Sequence, residues 1–203
     1  MIEERGTTAL RGGVELLERA IGYTQGSLAL VTSDRLANAT PCADWDLRDL
    51  LAHMHDSLVA LSDAAELGQV DLESTEPTGD LAADAVAAVR SRACHLLGAW
   101  TQVDGPRQVS VGDRTLSGSV LTGTGALEVA VHGWDVAQAC GYDRPIPAAL
   151  AEDLLELAPL VVRAADRPEL FAEPVPISPL ARPGDQLVAY LGRSPLPLHR
   201  PLG

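Results

Sequence analysis

Apolar residues recur at helical spacing in four long stretches of the chain, and these stretches predict four amphipathic helices. The first runs from about Leu10 to Val31, and the second from Asp46, a residue suited to an N-cap, to about Gly68. The third covers about Asp80 to Gln102, and the fourth about Ser119 to Cys140. Four long amphipathic helices joined by connections of roughly 10 to 17 residues favour a helical bundle.

Shorter elements are predicted after the third and fourth helices. Val109 and Val111 alternate with polar residues and are followed by a Gly-Asp pair, which predicts a small β-hairpin over residues 107–117. A fifth helix is predicted from about Ala148 to Asp166. The prediction is therefore a mainly all-α protein with one minor β element.

Proline becomes frequent near the C-terminal end of the chain, where it disfavours long helices. Residues 168–203 are expected to cross the surface in extended form, with one short helix or strand near Gln186–Leu191. We therefore predict a bundle formed by residues 1–167 and a C-terminal extension, residues 168–203, packed on it.

Charge and composition exclude several kinds of partner. The 203 residues carry a formal net charge of −13, which opposes binding to nucleic acid and to anionic membranes. No run of 18 apolar residues and no apolar leader is present, and three cysteines without short spacing do not form a disulfide framework. These features predict a cytoplasmic protein with reduced thiols.

The fourth predicted helix combines three ionisable residues on one face. On a helical wheel, His132 lies about 40° and Asp135 about 20° from Glu128, among apolar neighbours. A buried carboxylate is costly unless its charge is compensated. A metal ion would compensate it, because Glu and His at positions i and i+4 present two ligands one turn apart. The alternative, which spacing alone favours, is that Glu128 pairs with an arginine such as Arg48 or Arg90, and that His132 is a satisfied core histidine.

The second predicted helix offers a further histidine ligand. His53 and His55 flank its apolar stripe on opposite sides, so periodicity does not choose between them. Either one, together with Glu128 and His132, would give a His, Glu, His set that suits Zn²⁺ and leaves coordination positions open.

Residues 40–53, 128–135 and 187–195 resemble sequence motifs of the mycothiol-dependent maleylpyruvate isomerase family. Residues 40–53, TPCADWDLRDLLAH, resemble the opening motif, in which a turn ending in Trp leads into a helix with a metal-binding histidine. Residues 128–135, EVAVHGWD, resemble the second motif, and residues 187–195, LVAYLGRSP, resemble a C-terminal signature of one metal-binding branch. Asp44 stands where the family usually has Gly.

The resemblance implies a DinB-like four-helix bundle that holds a divalent metal, usually zinc. It places His53, Glu128 and His132 at the ligand positions and so favours His53 over His55. Asp135, one turn after His132, would accept a hydrogen bond from a ligand histidine; a capping or ion-pair role is the alternative.

The same resemblance implies a thiol-dependent chemistry, with mycothiol as cosubstrate. Zinc favours the thiolate of a bound thiol, which can attack a small electrophile as an isomerase or S-transferase requires. We therefore expect a small-molecule thiol and a small electrophile as partners, with a homodimer left open. The alternatives are a non-catalytic metal-binding bundle with a structural or sensing role, and a metal-free helical scaffold.

Overall fold

The computed structural model describes residues 2–70, 81–112, 114–163, 165, 167 and 171–195. The elements in this part of the chain are α1 Ile2–Leu28, a 3₁₀ turn Ser33–Arg35, α2 Leu47–Glu66, β1 Gln69–Val70, α3 Leu81–Thr101, β2 Gln108–Val111, β3 Arg114–Ser117, α4 Gly118–Ala139, α5 Ala148–Val161 and α6 Pro183–Tyr190. The mainly helical fold with a small hairpin is confirmed. Among the described residues, no helix is both long and apolar enough to cross a membrane.

The first four helices pack into a bundle whose core follows the predicted apolar stripes. Helix α1 lies along α4 and α2 along α3, with further contacts between α2 and α4 and between α1 and α3. Leu17, Leu50 and Leu96, from the first three helices, are fully buried. Trp100 is also buried and donates its indole N–H to the carbonyl of Leu61 at 3.1 Å, so its polar atom is satisfied inside the core.

Helix α2 begins directly after its N-cap residue, Asp46. The Asp46 carboxylate accepts from the backbone N–H of Asp49 at 3.0 Å, and the Asp49 carboxylate accepts from the backbone N–H of Asp46 at 3.3 Å. This capping box satisfies amide groups that the first turn would otherwise leave unpaired. It fixes the residue at which the helix begins, six positions before His53.

Helix α4 is the most enclosed element of the bundle, because α1, α2 and α5 all pack against it. Its polar residues His132 and Asp135 are buried as a consequence. The close approach of α1 depends on Gly133, where a Cβ atom would lie 2.3 Å from Thr24 Oγ1. That hydroxyl donates to the carbonyl of Val129 at 2.7 Å and joins the two helices.

The sheet contains one strand that the sequence did not predict. Strands β2 and β3 form the expected antiparallel hairpin, with Gly112 at a φ of 57° in the turn. Strand β1 adds to β2 in parallel register. A strand of two residues is too short to show an alternating pattern, which explains why it escaped prediction.

Two predicted helix boundaries differ clearly from the structure. Helix α1 begins at Ile2 instead of Leu10, because apolar periodicity cannot detect a polar helical segment. Helix α5 ends at Val161 instead of Asp166. Pro159 lies in its last turn and lacks an amide hydrogen, and Val162 is already extended. Residue 166 itself lies outside the described residues.

The described part of the C-terminal extension packs on the bundle through α6. This helix has Pro183 at its start and lies against α5. The predicted short element near Gln186–Leu191 is confirmed as helix, shifted three residues towards the N-terminus at its start. The division into a bundle of residues 1–167 and an extension of residues 168–203 stays a prediction.

The contact at Gly133 gives a direct test of the bundle packing. We expect Gly133→Ala to lower the free energy of unfolding by about 1–3 kcal/mol, because the new methyl group must displace Thr24. Gly22→Ala is the matched control, since its Cβ meets no atom within 4 Å and alanine favours a helix by up to about 1 kcal/mol. Urea denaturation measures both variants. Equal stability of the two would contradict this account of how α1 and α4 pack.

Candidate metal centre

Three side chains from two helices converge on one point. The carboxylate atom Oε1 of Glu128 lies 2.7 Å from Nε2 of His53 and 3.1 Å from Nε2 of His132. The two imidazole rings meet edge to face, with centroids 5.0 Å apart. His132 is nearly covered, with 9% of its side chain exposed, whereas His53 and Glu128 expose 36% and 33%. The group is therefore closed on one side and open on the other.

The structure separates the two histidines of α2. His53 reaches Glu128, while His55 points to another part of the surface and pairs with Asp56 at 3.3 Å. In the part of the chain that the structure describes, Glu128 pairs with the two histidines and not with Arg48 or Arg90. The shared face predicted for Glu128 and His132 thus meets the helix that carries His53.

Electrostatics inside this cluster favour charged groups. Burial acts to raise the pKa of Glu128, but the charge of His132 and hydrogen bonds from both histidines outweigh it and hold that pKa well below its usual range. Burial acts to lower the pKa of His132, yet Glu128 and Asp135 hold it well above its ordinary value. Both ring nitrogens of His132 face carboxylate oxygens, with Nε2 3.1 Å from Glu128 and Nδ1 3.0 Å from Asp135.

Asp135 is fully buried and lies behind His132. Its Oδ2 accepts from Nδ1 of His132 at 3.0 Å, from Nη2 of Arg193 at 2.9 Å and from the thiol of Cys42 at 3.3 Å. Burial acts to raise the pKa of Asp135, but Arg193 and His132 hold it below its ordinary value. The carboxylate is therefore ionised and fully bonded.

Sequence reasoning missed Ser57, whose side chain contacts the cluster. Ser57 lies one turn after His53, and its hydroxyl donates to Glu128 Oε1 at 3.4 Å. Trp45 packs against His53 with ring centroids 4.7 Å apart. The spacing of Ser57 from His53 was visible in the sequence, but a single serine at i+4 is too common in helices to be singled out.

The loop that precedes α2 places Cys42 and Trp45 next to the cluster. The side-chain amide of Asn38 donates to the backbone carbonyl of Ala139 at 2.9 Å and connects the loop to the end of α4. The hydroxyl of Thr40 accepts from the backbone N–H of Cys42 at 3.1 Å and donates to the carbonyl of Trp45 at 3.0 Å. These bonds fix the loop before α2 begins.

The open side of the cluster faces a cleft of about 820 Å³. His53, Glu128 and His132 contribute to its wall. Much of the remaining wall is apolar and includes Trp45, Leu127, Val131, Val161 and Phe171. A cleft of this size accommodates a small organic ligand.

The residues fit a divalent metal. Two imidazole nitrogens and one carboxylate oxygen are a common zinc donor set, and in a tetrahedral site such atoms lie about 3.4 Å apart. The two measured separations from Oε1, 2.7 Å and 3.1 Å, are close to that value. Nδ1 of His132 also bonds a carboxylate, as is usual for a ligand histidine. Cys42, His132 and Asp135 also lie close together, but Arg193 already compensates that group.

Comparison with known families decides the relationship. The sequence profile of the mycothiol maleylpyruvate isomerase N-terminal domain matches residues 17–137, which include both helices of the cluster. The chain belongs to this family. The resemblance seen in the TPCADW and EVAVHGWD motifs is thereby confirmed.

Full-length relatives of this family member include two uncharacterized proteins from two strains of Mycobacterium tuberculosis. Each is 29% identical over 185 residues, which is 87% of this chain and 95% of the relative. The likeness therefore extends beyond the matched domain into the C-terminal extension.

Solved structures with the same fold include the crystal structures of the mycothiol-dependent maleylpyruvate isomerase and of a mutant of it. They match with TM-scores of 0.53 and identities of 19% and 18%, over 73% of this chain and 67% of the isomerase chain. At this identity the match establishes the fold.

The loop before α2 contains one residue in a left-handed backbone conformation. Asp44 has a φ of 67°, and among the described residues it is the one non-glycine residue with positive φ. We expect Asp44→Gly to stabilise the fold by about 1 kcal/mol, since glycine adopts this conformation without a steric cost.

Thermal denaturation measures this prediction, with Asp44→Ala as the comparison. The alanine variant keeps the Cβ atom and loses the polar side chain that eases this conformation, so it should be no more stable than the parent. A glycine variant that unfolds at a lower temperature than the parent would show that the Asp44 side chain stabilises the loop by other contacts.

Proposed function

We propose that this protein binds a divalent metal ion through His53, Glu128 and His132, and that zinc is the ion this donor set favours. We further propose that it uses a small thiol such as mycothiol to act on a small electrophile as an isomerase or S-transferase. The observation that carries the proposal is the convergence of the three donor atoms at the wall of a cleft. The predicted homodimer and cytoplasmic location stay predictions.

When bound, zinc would lower the pKa of a thiol that occupies the open coordination position of the metal. The sulfur would then be nucleophilic near neutral pH. The chain's own residues prepare this position. Glu128 brings a negative charge, and the two histidines approach it from α2 and α4. Ser57 holds Oε1 of Glu128, and Trp45 limits the rotation of the His53 ring.

The cleft determines what can meet the thiol. Leu127, Val131 and Phe171 form apolar wall next to the donor cluster and restrict water there. The volume of about 820 Å³ has room for a thiol and a small electrophile together. The isomerase that shares this fold acts on maleylpyruvate, which makes that compound the first electrophile to test.

A non-catalytic metal-binding role is the second candidate. The structural match covers 67% of the isomerase chain, so a third of that enzyme has no matched counterpart here. A bundle that keeps the donor cluster without the rest of the enzyme would serve as a metal-dependent structural or sensing protein.

Metal titration tests the donor set. We expect the purified protein to bind one equivalent of Zn²⁺ or Co²⁺. Removing a residue that hydrogen-bonds a metal ligand typically weakens metal binding by about 10–100-fold. His53→Ala and Glu128→Ala each remove a ligand itself, so each should weaken binding by more than this. His55→Ala is the matched control on the same helix and should bind as the parent does. Isothermal titration calorimetry provides the affinities, and equal loss in the control would contradict the assignment.

The same titration has a pH dependence with a defined sign. In the metal-free protein the pKa of His132 is raised, so the ring carries a second proton that a cation must displace. Affinity should therefore increase with pH, by about tenfold per pH unit for each proton released. Proton release is measured by comparing buffers of different ionisation enthalpy.

Catalysis is tested with the metal-loaded protein. Mycothiol added to the Co²⁺ form should produce a sulfur-to-cobalt absorption band, and the protein should accelerate isomerisation of maleylpyruvate or addition of the thiol to activated alkenes. A metal-bound protein that shows neither would support the non-catalytic candidate. A protein that binds no metal would overturn both.

A further inference from the structure

Arg193 of the C-terminal extension, three positions after the end of α6, contacts Asp135 behind the donor cluster. Its Nη2 donates to Oδ2 of Asp135 at 2.9 Å and its Nε donates to Oδ1 at 3.3 Å. Its Nη1 donates to the carbonyl of Leu191 at 3.1 Å, which fixes the guanidinium plane against its own backbone. Arg193 is 13% exposed and Asp135 is fully buried, so this ion pair is shielded from water.

A continuous series of contacts leads from Arg193 to the donor atoms. Asp135 Oδ2, which Arg193 holds, also accepts from Nδ1 of His132 at 3.0 Å. Nε2 of the same ring lies 3.1 Å from Glu128. Since an imidazole is rigid, holding Nδ1 sets the direction of Nε2. A bond from the second nitrogen to a carboxylate also selects the tautomer that leaves Nε2 free to bind a cation.

Asp135 performs this role only while its charge is compensated. A buried carboxylate that loses its cationic partner is strongly destabilised. The guanidinium contacts both of its oxygens, a geometry that fixes the orientation of the carboxylate as well as its charge.

We infer that Arg193 is a positioning residue for the metal site: acting through Asp135, it orients His132, so that docking of the C-terminal extension and binding of a divalent cation strengthen each other. This inference rests on the proposed function. Because coupling between two binding events is reciprocal, an extension that strengthens metal binding must itself be held more tightly when metal is bound.

Affinity measurements on matched variants test the first half of the inference. Arg193→Met keeps the length of the side chain and removes its charge, and should weaken Zn²⁺ and Co²⁺ binding by about 10–100-fold. Arg193→Lys restores the charge without the two-point contact and should recover part of the loss. Arg182→Met is the control, because Arg182 lies in the same extension and pairs with Asp185 and Asp143 away from the site. It should bind metal as the parent does.

Two spectroscopic readouts separate a positioning role from a general loss of stability. The visible spectrum of bound Co²⁺ reports ligand geometry and should change in Arg193→Met, while Arg182→Met keeps the parent spectrum. The ring centroids of Trp45 and His53 lie 4.7 Å apart. Quenching of the Trp45 fluorescence by Co²⁺ therefore follows metal binding in every variant. Circular dichroism establishes that each variant is folded.

Hydrogen exchange on the unaltered protein tests the second half and needs no variant. Zn²⁺ should slow exchange of the amides of α6 and of residues 191–193, while the β2–β3 hairpin should be unaffected. Two results would overturn this inference and leave the proposed function standing. One is an Arg193→Met variant that binds metal with the affinity of the parent, and the other is amide exchange in α6 that is the same with and without Zn²⁺. An unaltered protein that binds no metal would overturn both.

Discussion

The structure depends on compensating negative charge inside a helix that is buried on nearly every side. Helix α4 carries Glu128 and Asp135 within two turns. On α4 itself, His132 is the basic partner of both carboxylates. Their remaining partners come from elsewhere: His53 from α2 and Arg193 from the C-terminal extension. The position of those two elements is thus set by charge as well as by apolar packing.

The same requirement explains why the cluster is suited to a cation. Glu128 and Asp135 hold the pKa of His132 well above its ordinary value, which shows how strongly this site favours positive charge. A divalent ion would bring two charges to the three donor atoms of His53, Glu128 and His132. Stability of the bundle and recognition of a metal are therefore two results of one arrangement of charges.

Local pattern predicted the parts of the structure that local forces determine. The capping residue Asp46 and the shared face of Glu128 and His132 could be read directly, because each depends on residues within one or two turns. Periodicity left His53 and His55 equivalent, and only the family resemblance favoured the former. The choice depends on how α2 rotates against α4, which a single helical wheel does not contain.

The residues that escaped prediction are those whose roles depend on distant partners. Arg193 appeared only within a family signature, and Cys42 only as a loop residue. Their link to Asp135 spans 58 and 93 positions of sequence. Such contacts leave no periodic trace. The extra strand β1 and the early start of α1 were missed for the opposite reason, since one is too short and the other too polar to produce a pattern.

The late position of Arg193 has a consequence for biosynthesis. A ribosome completes α4 well before it reaches residue 193, so the nascent bundle holds the carboxylate of Asp135 without its guanidinium partner. The bundle reaches full stability only when residue 193 has left the exit tunnel. A copy terminated before residue 193 would keep a buried carboxylate without its guanidinium partner and would be preferentially removed by cellular proteases.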